Sequence, residues 1–96
     1  MKRFRVYILA SRRNGTLYTG VTNDLARRLY EHERGTGSKF AARYGAVRLV
    51  WYEEHPVAQQ AIACEKAIKS WRRNWKIELI EKMNPDWYDL KRHLNS

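Results

Sequence analysis

The dipeptide Asn14-Gly15 constrains this chain more than any other feature, because the runs on either side of it both read as strands. Residues 4–10 alternate Phe4, Val6 and Ile8 with Arg5, Tyr7 and Leu9, and residues 16–22 are similarly rich in β-branched and aromatic side chains. Asn and Gly both accept positive φ, so the pair is a strong hairpin signal and the two strands are predicted to be antiparallel.

Loop length then decides which side chains stand together, since a strand alternates faces with a period of two. Any even loop puts Tyr7 and Tyr18 on one face. A two-residue turn would pair Tyr18 with Ser11 and Tyr7 with Thr22, leaving the phenols about 13 Å apart at ~3.3 Å per residue. A longer even loop brings them closer and is the one expected, because tyrosines that cooperate cannot sit so far apart. Gly20, on the same face, leaves room for a ligand.

Asn23 or Asp24 can cap a helix running to about Arg34, with Gly35 to Gly37 ending it. Leu25, Arg28, Leu29 and His32 follow an i, i+3, i+4, i+7 pattern and share a face, whereas Arg27 and Glu31 are expected to point to water. From spacing alone, Arg28 reads equally as a snorkelling surface residue and His32 as a satisfied core imidazole. Ser38 to Tyr44 looks like a short basic helical turn, and Ala46 to Glu53 like a third strand with Val47, Leu49 and Trp51 on one side.

Pro56 is expected to open a long helix, at a position where its missing N–H costs nothing. Val57, Ala61, Cys64 and Ile68, with Ala58 and Ile62, form its apolar stripe, and Glu65 falls inside it. A carboxylate there needs a partner. Metal ligation, a salt bridge to Arg28 or a position at a site mouth would each supply one. Ser70 to Asn84 reads as helix, with Trp71 and Trp75 one turn apart among Arg72, Arg73 and Lys76, and Pro85 ends it. Tryptophans so spaced suit a core, although with basic neighbours they can also stack bases. Asp86 could cap a short helix through Leu90, and the tail over 91–96 is expected to be loose.

Ninety-six residues make one domain, 1–96, with its core over about 3–83. Lys and Arg number 19 against 10 Asp and Glu, a balance of +9 that favours a polyanionic partner, nucleic acid before a membrane surface. The single cysteine, Cys64, can form no internal disulfide and is too little for a cysteine-based zinc site. No apolar stretch approaches the roughly 20 residues that span a bilayer, and the run after Met1 is too short for a signal peptide. A cytoplasmic protein is the plain expectation.

Taken together, these residues resemble the GIY-YIG nuclease family. Val6-Tyr7 matches the end of the first signature and Tyr18-Thr19-Gly20 the second. Thr22 to Arg28 matches the helix entry with its arginine, His32 a histidine four residues on, and Glu65 the metal-binding glutamate; the likeness spans roughly residues 3–83. It implies an α+β fold in which a three-stranded antiparallel sheet is flanked by helices, and metal-dependent hydrolysis of DNA phosphodiester bonds in repair or recombination. By similarity Glu65 would hold Mg²⁺ or Mn²⁺ and Arg28 the scissile phosphate. Tyr7 would be the general base, with Tyr18 and His32 assisting and His32 the alternative base.

The chain departs from the family at Arg5, where the first signature has glycine, and at Val21 and Thr22, where some relatives carry a lysine. Asn74 and Asn84 are candidates for an asparagine that some relatives place past the glutamate. DNA is favoured over RNA, and the choice of target must come from its structure, from a protein partner, or be loose. Arg27, Lys39, Arg43, Lys69, Arg72, Arg73 and Lys76 are candidate phosphate contacts. Arg27, Arg28, Arg43, Arg72, Arg73 and Lys76 would hold phosphates in the rival reading, a nucleic-acid-binding module without catalysis in which the tyrosines simply pack. A third reading is a basic partner of an acidic protein or of the ribosome.

Overall fold

The computed structural model describes residues 3–95; Met1, Lys2 and Ser96, the ends of the expected domain and tail, lie outside the described residues. Three strands form an antiparallel sheet: β1 (Phe4–Ala10), β2 (Leu17–Thr22) and β3 (Arg48–His55), in the order β2-β1-β3. Between β2 and β3 come α1 (Leu25–Glu33) and α2 (Lys39–Tyr44), and after β3 come α3 (Ala58–Ser70), α4 (Arg73–Met83) and a 3-10 helix, Leu90–Asn95. The fold is α+β, with helices on both faces of the sheet.

The near-continuous apolar run of β1 reflects its central place, where both faces of the strand are covered. Val6, Ile8 and Ala10 pack with Ala61, Ile68, Ile80 and Trp87, whereas Tyr7 and Leu9 pack with Leu25, Leu29, Ala41 and Leu90. Leu49 and Trp51 fall in different clusters, although simple alternation put them on one side. The cause is a bulge: Ile8 pairs with Trp51 but Leu9 with Leu49, so Val50 is the extra residue and the alternation reverses there.

The hairpin loop spans six residues, 11–16, and Ser11 N–H donates to the Thr16 carbonyl at 3.0 Å. Asn14 takes φ 58°, but Gly15 is not left-handed. A Cβ there would fall 2.3 Å from Ser11 Oγ, so a side chain would displace the hydroxyl that accepts from Thr16 N–H at 3.0 Å. Arg73, at the start of α4, donates to the carbonyls of Asn14 (2.8 Å) and Gly15 (2.6 Å) and ties this loop down.

Three further expectations are corrected. Pro56 precedes the cap of α3, which is Val57, so it lies outside the helix, and Val57 and Ile62 are largely exposed and not part of a buried stripe. The helix expected over Ser70 to Asn84 is broken: Ser70 Oγ donates back to the Ala67 carbonyl, and Trp71 and Arg72 are extended before α4 begins.

Asp86 caps nothing; Asp89 instead accepts from the backbone N–H groups of Leu49 and Lys91. The segment beyond residue 83 contributes to the core, with Trp87 wholly buried and its Nε1 donating to Glu81 at 2.7 Å. From residue 91, where a loose tail was expected, the chain continues the 3-10 helix, and the Lys91 ammonium pairs with Glu33 and Asp89.

Candidate active site

Tyr7 stands at the middle of the central strand, directly opposite Gly20 of β2. A Cβ at position 20 would come within 2.5 Å of both Cζ and Oη of Tyr7, so the gap that the sequence assigned to a ligand is filled by the tyrosine's own ring. Tyr18 pairs with Leu9 on the same face, and the two phenol rings have centroids 6.3 Å apart. The longer loop thus brings the tyrosines together as expected.

Helix α1 supplies the next two groups. Asp24 is its cap, accepting from Arg27 N–H at 3.2 Å, and this start points Leu25, Leu29 and His32 into the protein. His32 Nε2 lies 3.0 Å from the Tyr7 hydroxyl, and its ring is 5.3 Å from that of Tyr18. Gly37 returns the chain over the imidazole, where a Cβ would meet Nδ1 at 2.7 Å. Sequence reasoning missed this glycine, whose only signal was its place in the segment ending the helix.

The protonation states follow from burial. Tyr7 is 1% exposed, and desolvation pushes its phenol up to about 12; the Arg28 guanidinium opposes this, while Tyr18 and Glu65 add to it. His32 is 2% exposed, and burial first, then the positive charge of Arg28, lowers its pKa below the usual histidine value. At neutral pH the phenol therefore keeps its proton and the imidazole is neutral, and the imidazole's tautomer decides which of the two donates; Nδ1 is buried with no hydrogen-bond partner.

Arg28 is half-exposed, close enough to Tyr7 to stabilise the phenolate, and its Nη1 donates to Glu31 at 3.1 Å. Glu31 also pairs with Arg27 at 3.5 Å, so it bridges two arginines where the helix pattern had it facing water. Arg27, Arg28 and Glu31 line an open cleft with Thr22, Asn23 and Asp24. A phosphate bound there would meet two guanidiniums now shared with one carboxylate.

Glu65 on α3 has a largely buried carboxylate, with 14% of the side chain exposed, and its charge is felt by Tyr7. Of the partners considered for it, Arg28 forms no direct pair with it. Its ion pair is with Lys69 Nζ, one turn on, at 2.9 Å. That ammonium also lies 5.9 Å from the Tyr18 ring centroid, beside the candidate site. Glu65 is a single carboxylate. A hard divalent cation could be held there by one such ligand, with water and substrate oxygens completing its shell.

Among the described residues, the grouping able to offer a metal three ligands at once lies elsewhere, at Glu53, His55 and Cys64. There Glu53 already pairs with His55 at 2.9 Å. Burial and the Glu53 carboxylate push the Cys64 thiol up, which makes it a poor nucleophile.

The candidate phosphate contacts divide. Arg27, Lys39 and Arg43 are exposed on the side of α1 and α2, and Arg43 lies over the Tyr44 ring. Arg72 is exposed and covers the Trp75 ring at 5.4 Å, while Lys76 is half-buried. Arg73 is committed to the hairpin loop. Trp71 packs against the core, whereas Trp75 is 51% exposed. Asn84 is a structural bolt, its side chain bonded to Val50 and Tyr88, and Asn74 is exposed on α4.

Residues 3–78 match the sequence profile of the GIY-YIG catalytic domain. Over 90 residues the chain is 34% identical to a UPF0213 protein of Clostridium perfringens, covering 94% of this chain and 96% of the relative. A UPF0213 protein of Streptococcus sanguinis is 37% identical over 68 residues, 71% and 78% of the two chains. The solution NMR structure of the UPF0213 protein BH0048 from Bacillus halodurans superposes with a TM-score of 0.56 at 31% identity, covering 93% of each chain.

Proposed function

The chain belongs to the GIY-YIG family, a family of nuclease type, and on that premise we propose that it is a divalent-metal-dependent endonuclease acting on DNA in repair or recombination, in the cytoplasm. One observation carries the reading. Tyr7, Tyr18, Arg28, His32 and Glu65 come from two strands and two helices, yet interact within one cluster of rings and charges.

In this reading Arg28 binds the scissile phosphate, and its charge is worth more as negative charge gathers on the oxygens in the transition state. Tyr7 takes the proton of the attacking water while passing its own to His32 Nε2. A phenol this deeply buried could not ionise unaided, and the imidazole receives what it must lose. Because bulk water scarcely reaches Tyr7, the nucleophilic water enters with the substrate. Its oxygen forms the new bond to phosphorus as the bond to the leaving oxygen breaks. Glu65 would hold Mg²⁺ or Mn²⁺, which when bound neutralises phosphate charge and acidifies a bound water.

The test incubates purified protein with single-stranded, duplex and branched DNA and with RNA, plus Mg²⁺ or Mn²⁺, beside Glu65→Ala and Tyr7→Phe. Metal-dependent cleavage that both substitutions abolish is expected. Cleavage that survives both overturns the site. Binding without cleavage on every substrate favours the non-catalytic module, to which one observation lends weight: Lys69 already neutralises the only carboxylate proposed for the metal.

A further inference from the structure

We infer that the exposed rings of Phe40 and Tyr44 form a stacking platform for an unpaired nucleobase of the substrate, beside the proposed phosphate site; this rests on the nuclease reading above. Helix α2 is only six residues long, capped by Ser38 and ended by Gly45 in the left-handed region, and among its residues Ala41 is the buried one. Phe40 and Tyr44 are four apart and so lie on one helix face, 48% and 46% exposed, with ring centroids 4.9 Å from each other. Two large rings with so much surface left open are not explained by the core.

Their position supplies the occupant. Phe40 stacks on Tyr18 at 6.4 Å with planes 30° apart, Tyr18 meets His32 at 5.3 Å, and His32 meets Tyr7 at 5.9 Å. A continuous file of rings thus runs from the buried phenol–imidazole pair out to the surface. Arg43 borders its outer end, with its guanidinium 5.6 Å from the Tyr44 ring centroid, and the exposed Lys39 precedes Phe40 in the same helix.

Half-exposed aromatic rings bordered by a guanidinium suit a nucleotide, whose base stacks while its phosphate pairs. A base inside a duplex has both faces covered by its neighbours. Only a nucleotide that is single-stranded, flapped or bulged can add itself to Phe40. The site should therefore favour substrates with an unpaired nucleotide next to the cleaved bond.

The experiment compares kcat/KM on a single-stranded oligonucleotide and on its fully paired duplex for wild type, Phe40→Ala, Phe40→Leu and Phe40→Trp. Stacking predicts that Phe40→Ala and Phe40→Leu lower the single-strand to duplex ratio on the order of tenfold, within the range that alanine substitution shows for base stacking, and that Phe40→Trp preserves it. Equal losses on both substrates, or a leucine variant that behaves as wild type, would show that Phe40 only supports Tyr18, and would overturn the inference.

A second measurement does not depend on turnover. An oligonucleotide carrying 2-aminopurine, bound to Glu65→Ala, should be quenched, and Phe40→Leu should remove the quenching. If wild type cleaves nothing but this quenching pattern holds, the nuclease reading fails and the platform stands. Quenching unaffected by Phe40→Leu overturns the platform whether or not the protein cleaves.

Discussion

The Tyr7 hydroxyl and His32 Nε2 are 3.0 Å apart, and both side chains are almost completely withdrawn from solvent. A phenol and an imidazole joined this way share one proton, so neither can be judged as a base without the other. Tyr7→Phe and His32→Gln should each lower kcat by about 10²–10⁴ with little change in KM. The double variant should lose little more than the worse single one. Losses that multiply across the pair would show that the two act independently.

The same pair sets the pH response. His32 is lowered by burial, so the imidazole stays neutral and able to accept a proton across the neutral range. Activity should be flat there and fall only on the acid side of the ordinary histidine value. Stability should follow: the unfolded chain binds this proton more readily than the folded one, so stability is lost as pH drops from about 6.5 toward the lowered folded pKa.

Tyr7 acts in the opposite direction. Its phenol is raised to about 12, so the folded state holds that proton longer, and stability is lost as pH rises from about 10 through the folded value. Alkaline unfolding of Tyr7→Phe should lack this component, of the order of 2–3 kcal/mol. Identical alkaline profiles for the variant and wild type would contradict it.

Gly20→Ala places a methyl group on the Tyr7 ring. The ring must move, at a cost of about 1–3 kcal/mol, and the hydrogen bond to His32 breaks. Thermal unfolding should show the loss, and activity should fall to the level of Tyr7→Phe. Adding Tyr7→Leu should restore stability but not activity. If the single variant is as stable as wild type, the close approach is not a constraint.

Lys69 holds the Glu65 carboxylate that a metal would need. Lys69→Met should reduce the metal concentration giving half-maximal activity severalfold, because a competing cation has gone. A titration with Mg²⁺ at fixed substrate reads this directly, and an unchanged requirement would mean that Glu65 is not the metal ligand. Calorimetric titrations need Cys64→Ser alongside, since Glu53, His55 and Cys64 present a separate set of possible ligands.

Much of the site was legible because its parts are local. Tyr7 and Tyr18 follow from strand alternation and the parity of one loop, and Arg28 and His32 from helical spacing behind the Asp24 cap. What was not legible depends on contacts across the chain. Nothing in the pattern of β3 announces that Val50 is a bulge, so Leu49 and Trp51 were put on one face. The extended backbone at Trp71 and Arg72 interrupts an otherwise good helix, and Arg73 reaches the carbonyls of the hairpin loop only because α4 then starts beside it. Lys69 reads from sequence as a candidate phosphate contact, and only the packing of α3 places it over Tyr18 and against Glu65.

Trp87 lies beyond the matched span of residues 3–78, yet it is wholly buried against Val50 and Ile80's cluster and holds a backbone φ of 59° that a tryptophan rarely adopts. The matched domain therefore depends for its core on a plug supplied by sequence outside it. A gene trimmed to the borders of the recognised domain would encode every residue of the candidate site and still yield a protein with an open flank, prone to clump.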